Sequence, residues 1–358
     1  MNSEMKALIE FANKVVLKTP PLPMLKSDFA APQFIRALDG HLTKAHLERT
    51  LMLPNFHEHV NTIAVFTDYA GDAADAKHLS YSFLFAPYDA LSVCFAGMKS
   101  YREKHGLIDP YVEVNFKNLG YGPVSRIIDE WLALFDAFPA LLFTLSVRKD
   151  IHSIVYENDR ATLKEIVKIL SNEGMGEWKT VAAERLVRVV HSIGYWCAML
   201  SKPNQNILWI TDHDQTVANP QMTQFASQLF QRVLNMYAPG RYGTIAVAKP
   251  FEIVNKDQDF FDILSIPDLS AGVISNLLSA IESPAPLVKE DTNRVLRWLT
   301  YQGIGLKKVF MNIRPEGGSI GTCLMDLKPI TPLAGESISI IFPKNTTQNS
   351  LLGVDPKD

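Results

Sequence analysis

The chain has 358 residues, of which 47% are hydrophobic and 20% are charged. This composition excludes a disordered or membrane-embedded class and suits one large α/β domain with an appended unit. The formal net charge of -3 gives no global positive field, so it counts against a non-specific nuclease, and nucleic-acid binding would need a local basic groove.

Hydropathy and cysteine usage predict the compartment. No stretch approaches the roughly 18 uninterrupted apolar residues of a membrane span, and no basic region followed by an apolar block opens the chain. Cys94, Cys197 and Cys323 are far apart and lie in apolar surroundings, which indicates buried reduced thiols. We therefore expect a cytoplasmic protein that makes no membrane contact.

The first half of the chain reads as a helical lead-in followed by strands. Residues 1–60 show two helical patterns, the second over 31–53, on either side of a proline-rich connector at 19–23. Three short apolar runs then predict an antiparallel meander, and an alternating run predicts a further strand. These four predicted strands cover residues 61–67, 80–86, 91–96 and 111–116.

The middle of the chain alternates between helical and strand patterns. Apolar residues at helical spacing predict helices over 124–138, 160–172 and 179–200, and apolar runs predict strands over 141–147 and 207–211. Strands separated by helices suggest parallel neighbours joined by crossovers. Asn219 and Pro220 then suit the N-cap and first turn of a helix that runs to about Tyr237.

The last third begins with a strand over 244–247 and a helix over 268–281. Pro267 and Asp268 are interpreted as the start of that helix, and the small residues 270–272 would let its first turn lie close to another element. A helix over 292–299, a hairpin turn at Gly317 and Gly318 and a last strand over 337–342 follow. The predicted domains are a lead-in (1–60), an α/β core (61–282), an α+β appendage (287–343) and a disordered tail (344–358).

Acidic residues stand where apolar strands stop. Asp68 follows the first predicted strand, and Asp212 follows the strand 207–211. Ligands of open α/β sheets gather beyond the carboxyl ends of the strands, so these two acids are candidates for one crevice. Hard oxygen ligands suit Mg²⁺ or Mn²⁺, which can activate water for attack on a phosphodiester.

The order of the elements resembles the ribonuclease H-like fold, with Asp68 in the place of the first-strand aspartate. Local motifs are similar to those of the bacterial domain-of-unknown-function 3800 family, whose first turn is Asp-Glu-Ser-Gly-Asp. The corresponding segments are 68–72 (Asp-Tyr-Ala-Gly-Asp), 113–119 for a Glu-x-x-x-Lys-like element, Asp212 at a strand end, and 267–272 (Pro-Asp-Leu-Ser-Ala-Gly) for an Ala-Asp-Leu-x-Ala-Gly helix start. The four matches fall in order within residues 60–280.

The resemblance implies a metal-dependent, nuclease-like role, often in phage-defence or mobile-element settings. It implies four catalytic and metal-binding residues: Asp68, Glu113, Asp212 and Asp268, with Asp72 and Asp214 as alternates. Four carboxylates in one place would repel each other without a cation, and Lys117 could neutralise a phosphate or the cluster. Tyr69 stands where the family pattern has an acid, which leaves one fewer candidate ligand.

Each acid also has an ordinary structural interpretation. Asp68 and Asp212 suit turn residues, Asp268 suits a helix cap, and Glu113 suits the solvated face of a strand. The pair His57 and His59, the loop residue His213 and the dispersed basic residues are interpreted mainly as surface groups, although the basic residues could line a groove. Those basic residues are Arg102, Lys104, Arg148, Lys149 and Arg241.

Two functions therefore remain open from the sequence. The first is a metal-dependent hydrolase that acts on phosphodiester bonds of nucleic acid. The second is a catalytically inactive member of the same fold that binds a partner protein through the C-terminal appendage. The oligomeric state is not predicted.

Overall fold

The computed structural model describes residues 3–15, 25, 29–108, 110–155, 158–212, 216–250, 257–282, 290–317, 319–330 and 337–341. The helices are α1 (Ser3–Val15), α2 (Gln33–Leu47), α3 (Leu91–His105), α4 (Gly122–Ala137), α5 (Arg160–Asn172), α6 (Thr180–Leu200), α7 (Pro220–Tyr237), α8 (Asp257–Ile281) and α9 (Glu290–Leu299). The strands are β1 (Thr62–Ala70), β2 (His78–Pro87), β3 (Leu141–Arg148), β4 (Asn206–Thr211), β5 (Ile245–Ala248), β6 (Lys307–Glu316), β7 (Ser319–Leu324), β8 (Asp326–Ile330) and β9 (Ser337–Ile341).

Seven strands form one mixed sheet in the order β5-β4-β1-β2-β3-β6-β7. The strands β1, β2 and β3 are an antiparallel meander, β4 lies parallel beside β1, and β5 lies parallel beside β4. On the other side, β6 is parallel to β3 and turns back as β7. Helices flank the sheet, so the predicted α/β class is confirmed, and the strand order is compatible with a ribonuclease H-like sheet.

Each face of the sheet is covered by its own hydrophobic core. Ile63 and Val65 of β1 belong to the core that includes α6 and α7, which we call the α6 face. Ala64 and Phe66, which alternate with them, belong to the core that includes α3, α4 and α8, which we call the α8 face. Side chains alternate between the two faces along a strand. An even-numbered residue of β1 therefore points to the α8 face, and an odd-numbered residue points to the α6 face.

The helix α8 is a core element. It is long and apolar enough to cross a membrane, yet 83% of its most apolar window is buried inside the protein. It packs against β1 and β2. The helix is therefore buried as a central helix of the α/β domain.

Two predicted strands are wrong. Residues 91–96 belong to helix α3, whose buried Leu91, Cys94 and Met98 recur at helical spacing, and a six-residue apolar run does not distinguish the two structures. The third strand of the meander is β3 instead. Residues 111–116 form a loop, and the alternation of Val112 and Val114 around Glu113 that suggests a strand has no strand partner among the described residues.

Two further details differ from the prediction. Strands β3 and β4 are not neighbours, because β2 and β1 lie between them. Pro267 lies inside α8, which begins ten residues earlier at Asp257. A proline suits a first helical turn locally, but burial of the apolar residues on both sides of Pro267 keeps the helix continuous.

Other predictions are confirmed. Helix α5 covers residues 160–172, and the Asn219 side chain caps α7 by accepting a hydrogen bond from Met222 N. The hairpin between β6 and β7 turns at Gly317, whose φ of 56° is in the left-handed region. All three cysteines are buried and free.

The predicted appendage contributes to the main sheet. Its strands β6 and β7 extend the sheet beyond β3, while β8 and β9 form a separate two-stranded sheet. The predicted connector at 19–23 and the predicted disordered tail at 344–358 lie outside the described residues.

Candidate active site

One cavity of about 130 Å³ lies at the carboxyl end of β1 and β4 on the α8 face. All four predicted acids contribute to its lining. The lining residues are Asp68, Glu113, Val114, Asn115, Lys117, Asp212, Phe261, Leu264, Ser265 and Asp268. Segments that are far apart in the sequence thus meet at the edge of the sheet where ligands of α/β proteins bind.

Strand register brings Asp68 and Asp212 together. The parallel pairing of β1 and β4 matches Phe66 with Ile210 and Thr67 with Thr211, so the two aspartates follow at equivalent positions. The Asp212 N–H donates to the Thr67 carbonyl at 3.3 Å, which continues the pairing past the end of β4. Phe66 and Ile210 lie in the α8-face core, so both carboxylates, two residues further along, also face α8.

Glu113 reaches the cavity from the loop that precedes α4. Its Oε2 accepts a hydrogen bond from Asn115 Nδ2 at 2.8 Å, and its carbonyl accepts one from Asn118 Nδ2 at 3.0 Å. A further bond from Asn118 N to Asn115 Oδ1 closes the turn. The Glu113 side chain is exposed, so it lies at the mouth of the cavity.

Asp268 is the innermost acid. Because it lies inside α8 it does not cap a helix, and its Oδ2 instead accepts the Phe116 N–H across the cavity wall. Burial raises the pKa of Asp268 to about 6, and the negative charges of Asp212 and Glu113 act in the same direction. The Phe116 N–H and Lys117 oppose the shift because they favour the ionised form.

Two glycines allow the close packing around these acids. A Cβ on Gly272 would lie 2.3 Å from Phe116 Cγ, so only glycine lets the loop pack directly on α8. A Cβ on Gly71 would lie 2.0 Å from the His78 carbonyl oxygen, and its φ of 98° also requires glycine. The predicted close contact between α8 and another element is therefore made at Gly272. The contact lies in the middle of the helix and not in its first turn.

Tyr69 does not remove a ligand from the site. Its hydroxyl is 3.0 Å from Thr67 Oγ1 and 3.4 Å from Thr211 Oγ1, and its ring packs against the α6-face core. A side chain at this position points to the opposite face from Asp68, so an acid here would not reach the cavity. Tyr69 does not line the carboxylate cavity, so the four acids that do are all retained in this chain.

The alternates and the other predicted groups lie elsewhere. Asp72 forms an ion pair with Arg185 at 2.5 Å, while Asp214 and His213 lie outside the described residues. His57 Nε2 is 3.3 Å from the Met199 carbonyl oxygen, which fixes it as a structural contact.

The five predicted basic residues do not form a groove. Each has a contact of its own, and the contacts fall on different elements. Arg102 pairs with Asp262, Lys104 with Glu130 and Arg148 with Asp150, while Lys149 donates to the Ala73 carbonyl and Arg241 to the Ala198 carbonyl.

A buried cluster that the sequence did not reveal supports the loop. Arg102 makes a paired contact with Asp262 of α8 and donates to the carbonyls of Leu107 and Val112. These contacts hold the segment that leads into Glu113 against α8. The sequence predicts a surface role for an arginine in the last turn of a helix. Its buried partner cannot be recognised from the sequence, because Asp262 lies 160 residues away.

The donor set suits a hard divalent cation. All four charged ligand candidates are carboxylates, the ligands that Mg²⁺ and Mn²⁺ prefer. In the part of the chain that the structure describes, no three histidine, cysteine, aspartate or glutamate side chains converge closely enough to enclose an ion. Mg²⁺ commonly keeps several waters and binds through one or two carboxylates, and the pair Asp68 and Asp212 suits that mode.

Comparisons of the chain with protein-family models, with curated proteins and with solved structures give no match. The chemistry of the cavity is thus the basis for assigning a function.

Proposed function

We propose that this protein is a metal-dependent hydrolase of phosphodiester bonds with a ribonuclease H-like fold. The observation that carries the proposal is the single cavity lined by Asp68, Glu113, Asp212 and Asp268. Within this cavity, Asp68 and Asp212 lie at equivalent positions of neighbouring parallel strands, which suits a cation held by two carboxylates and by water.

The sheet supports the fold assignment. An antiparallel meander of three strands is followed by a parallel strand beside its first member, and Asp68 lies near the carboxyl end of that first strand. The parallel strand that ends before Asp212 agrees with the order that the sequence implies, whereas the third strand of the meander is β3 and not residues 91–96. The additional strands β6 and β7 join the far edge of the meander and leave the cavity open.

In the proposed site, Asp68 and Asp212 would hold Mg²⁺ or Mn²⁺, and Glu113 and Asp268, which line the same cavity, are the further candidate ligands. A divalent cation at such a site lowers the pKa of water and stabilises the leaving oxygen. Lys117, exposed at the rim, binds a non-bridging phosphate oxygen. The Phe116 N–H fixes the orientation of the Asp268 carboxylate.

Thermal melting with and without Mn²⁺ tests metal binding. We expect millimolar Mn²⁺ to raise the melting midpoint of the wild-type protein, and Asp68→Asn to abolish the rise. Glu130→Gln is the matched control, because Glu130 is a carboxylate on α4 that pairs with Lys104 outside the cavity. A wild-type midpoint that does not respond to Mn²⁺ or Mg²⁺ would contradict the proposal.

The setting follows from the same proposal. A hydrolase of this kind acts on nucleic acid in the reducing cytoplasm, consistent with three buried free thiols. The resemblance of the motifs favours a role in phage defence or in the maintenance of mobile elements.

A second candidate is an inactive module that binds a partner protein. The observation in its favour is a groove of about 660 Å³ between α4 and α9, lined in part by Arg294, Arg297, Trp298 and Tyr301. Aromatic and arginine side chains are enriched in protein interfaces, and Tyr301 is 53% exposed. A chain that shows neither a Mn²⁺ response nor hydrolysis would favour this function.

A further inference from the structure

A second groove adjoins the carboxylate cavity. It has a volume of about 420 Å³, in the range of small-ligand pockets, and it shares Lys117 and Asp268 with the cavity. The turn after β1, the loop at Phe116 and one side of α8 form its walls. The groove and the carboxylate cavity are therefore continuous at Lys117 and Asp268.

The α8 wall presents one polar group that lacks a protein partner. Ser275 Oγ donates to the His78 carbonyl at 2.9 Å, and Ser279 Oγ accepts the Lys77 N–H at 2.9 Å. Asn276 Oδ1 is buried and has no hydrogen-bond partner within the described residues. A buried amide oxygen without a partner is unfavourable, so a ligand that donates a hydrogen bond to Asn276 would remove this cost.

The remaining walls suit a flat ring. Phe116 lines the groove and is only partly buried, and it is held in place by its contact with Gly272. Aromatic side chains bind single-stranded nucleic acid by stacking on its bases, and an asparagine amide can pair with the edge of a base. Both kinds of contact are available here beside a site proposed to cleave phosphodiesters.

The charged residues at the rim of the groove restrict the path that a nucleic-acid backbone can take. Asp72 is paired with Arg185, Asp75 lies on the same rim, and Lys117 is at the junction with the cavity. Phosphates are repelled from the aspartate side and attracted to Lys117. The backbone would therefore follow Lys117 while a base enters the groove.

We infer that the groove binds one unpaired base of a single-stranded nucleic acid, with Phe116 as the stacking surface and Asn276 as the acceptor for a base donor. The inference rests on the proposed phosphodiester chemistry for the class of its ligand. A duplex keeps its bases paired and stacked, so it cannot supply such a base without being opened.

Fluorescence anisotropy in EDTA tests the inference without cleavage. The probes are a labelled eight-nucleotide deoxyadenosine strand, the same backbone with abasic sites, and a duplex of the same length. We expect the single strand to bind at least about tenfold more tightly than the other two, since one stacked base contributes a factor of about 5 to 150. Binding should also depend weakly on salt, because few cations meet the backbone.

Variants assign the binding to the groove. Asn276→Ala and Phe116→Leu should each weaken binding of the single strand about fivefold or more. Asn235→Ala is the matched control, since Asn235 is an exposed asparagine on α7. Equal binding of duplex and single strand, or an Asn276→Ala protein that binds like Asn235→Ala, would overturn the inference.

The two proposals fail separately. Selective single-strand binding without a Mn²⁺ melting shift would overturn the hydrolase and support the groove. A Mn²⁺ shift that Asp68→Asn abolishes, together with no preference among the three probes, would overturn the groove and support the hydrolase.

Discussion

At the carboxyl end of β1, the acidic residues on the two faces of the sheet have different partners. On the α6 face, Glu184 is paired with Arg188 one helical turn away, and Asp72 is paired with Arg185. Arg188 also donates to the Tyr81 hydroxyl at 3.2 Å. Both of these carboxylates meet a guanidinium, and the Glu184–Arg188 pair is buried, which is how buried charge is normally stabilised.

On the α8 face, Asp262 is likewise paired with Arg102, but the four acids of the cavity lie close to one another. The charged groups that act on Asp268 are Asp212, Glu113 and Lys117, and burial keeps its pKa raised. Like charges in a partly buried cavity destabilise the folded chain unless a cation binds. Glu184 on the α6 face therefore stabilises the fold through its ion pair, whereas the four cavity acids on the α8 face are the proposed cation ligands.

The largest expected effect is on the rate of hydrolysis when an acid of the cavity is replaced. Asp212→Asn should reduce Mn²⁺-dependent cleavage of a labelled single strand by about 10³-fold or more, because it removes a strand-end ligand while the fold stays intact. The rate is measured in single turnover on gels. Glu130→Gln, on the exposed pair with Lys104, should cleave at the wild-type rate. An active Asp212→Asn protein would place the chemistry elsewhere.

On the α6 face, the large effect should be on stability. Glu184→Gln leaves the Arg188 guanidinium buried without its counter-ion, so we expect a loss of about 3 to 5 kcal/mol in the free energy of unfolding by urea. Mn²⁺ should still raise the melting midpoint of the Glu184→Gln protein. Glu130→Gln, in an exposed ion pair, should cost less than about 1 kcal/mol. A stable Glu184→Gln protein without a Mn²⁺ shift would reverse the roles of the two faces.

Sequence alone was sufficient to group the acids on the α8 face. Asp68 and Asp212 each follow an apolar run of the sequence, although β1 itself continues past Asp68 to Ala70. An acid after such a run can be recognised without knowing which strand is its neighbour. The order of the motifs added Glu113 and Asp268. All four line the same cavity.

The supporting structure could not be predicted in the same way. Residues 91–96 and 111–116 carry short apolar patterns that suit a strand or another structure equally, and long-range packing decides between them. Pro267 has the local features of a helix start, yet burial keeps α8 continuous through it. The contact of Arg102 with Asp262 joins α3 to α8 and has no local signature.

Crowding of the acids predicts a stabilising substitution. The unfolded pKa of Asp268 is near the ordinary 3.8 and the folded value is about 6, so ionisation destabilises the folded state increasingly from about pH 4 to pH 6 and fully above it. Asp268→Asn should therefore raise the free energy of unfolding by about 1 to 3 kcal/mol at pH 8 and by little at pH 4. Urea titrations at both pH values measure this. A loss of stability at pH 8 would mean that Asp268 has a favourable ionic partner.

The smallest effect concerns the glycine on which the loop rests. Gly272→Ala places a Cβ 2.3 Å from Phe116 Cγ, so the ring and its backbone must move away from α8. We expect a loss of about 1 to 2 kcal/mol in stability and a weaker Mn²⁺ shift, because the Phe116 N–H no longer orients Asp268. The matched control is Gly40→Ala in α2, where nothing lies within 4 Å of the added Cβ. That change should stabilise the chain by about 0.5 to 1 kcal/mol, as alanine does in a helix. If both substitutions stabilise equally, the loop does not depend on close contact with α8, and the positioning of Asp268 must come from elsewhere.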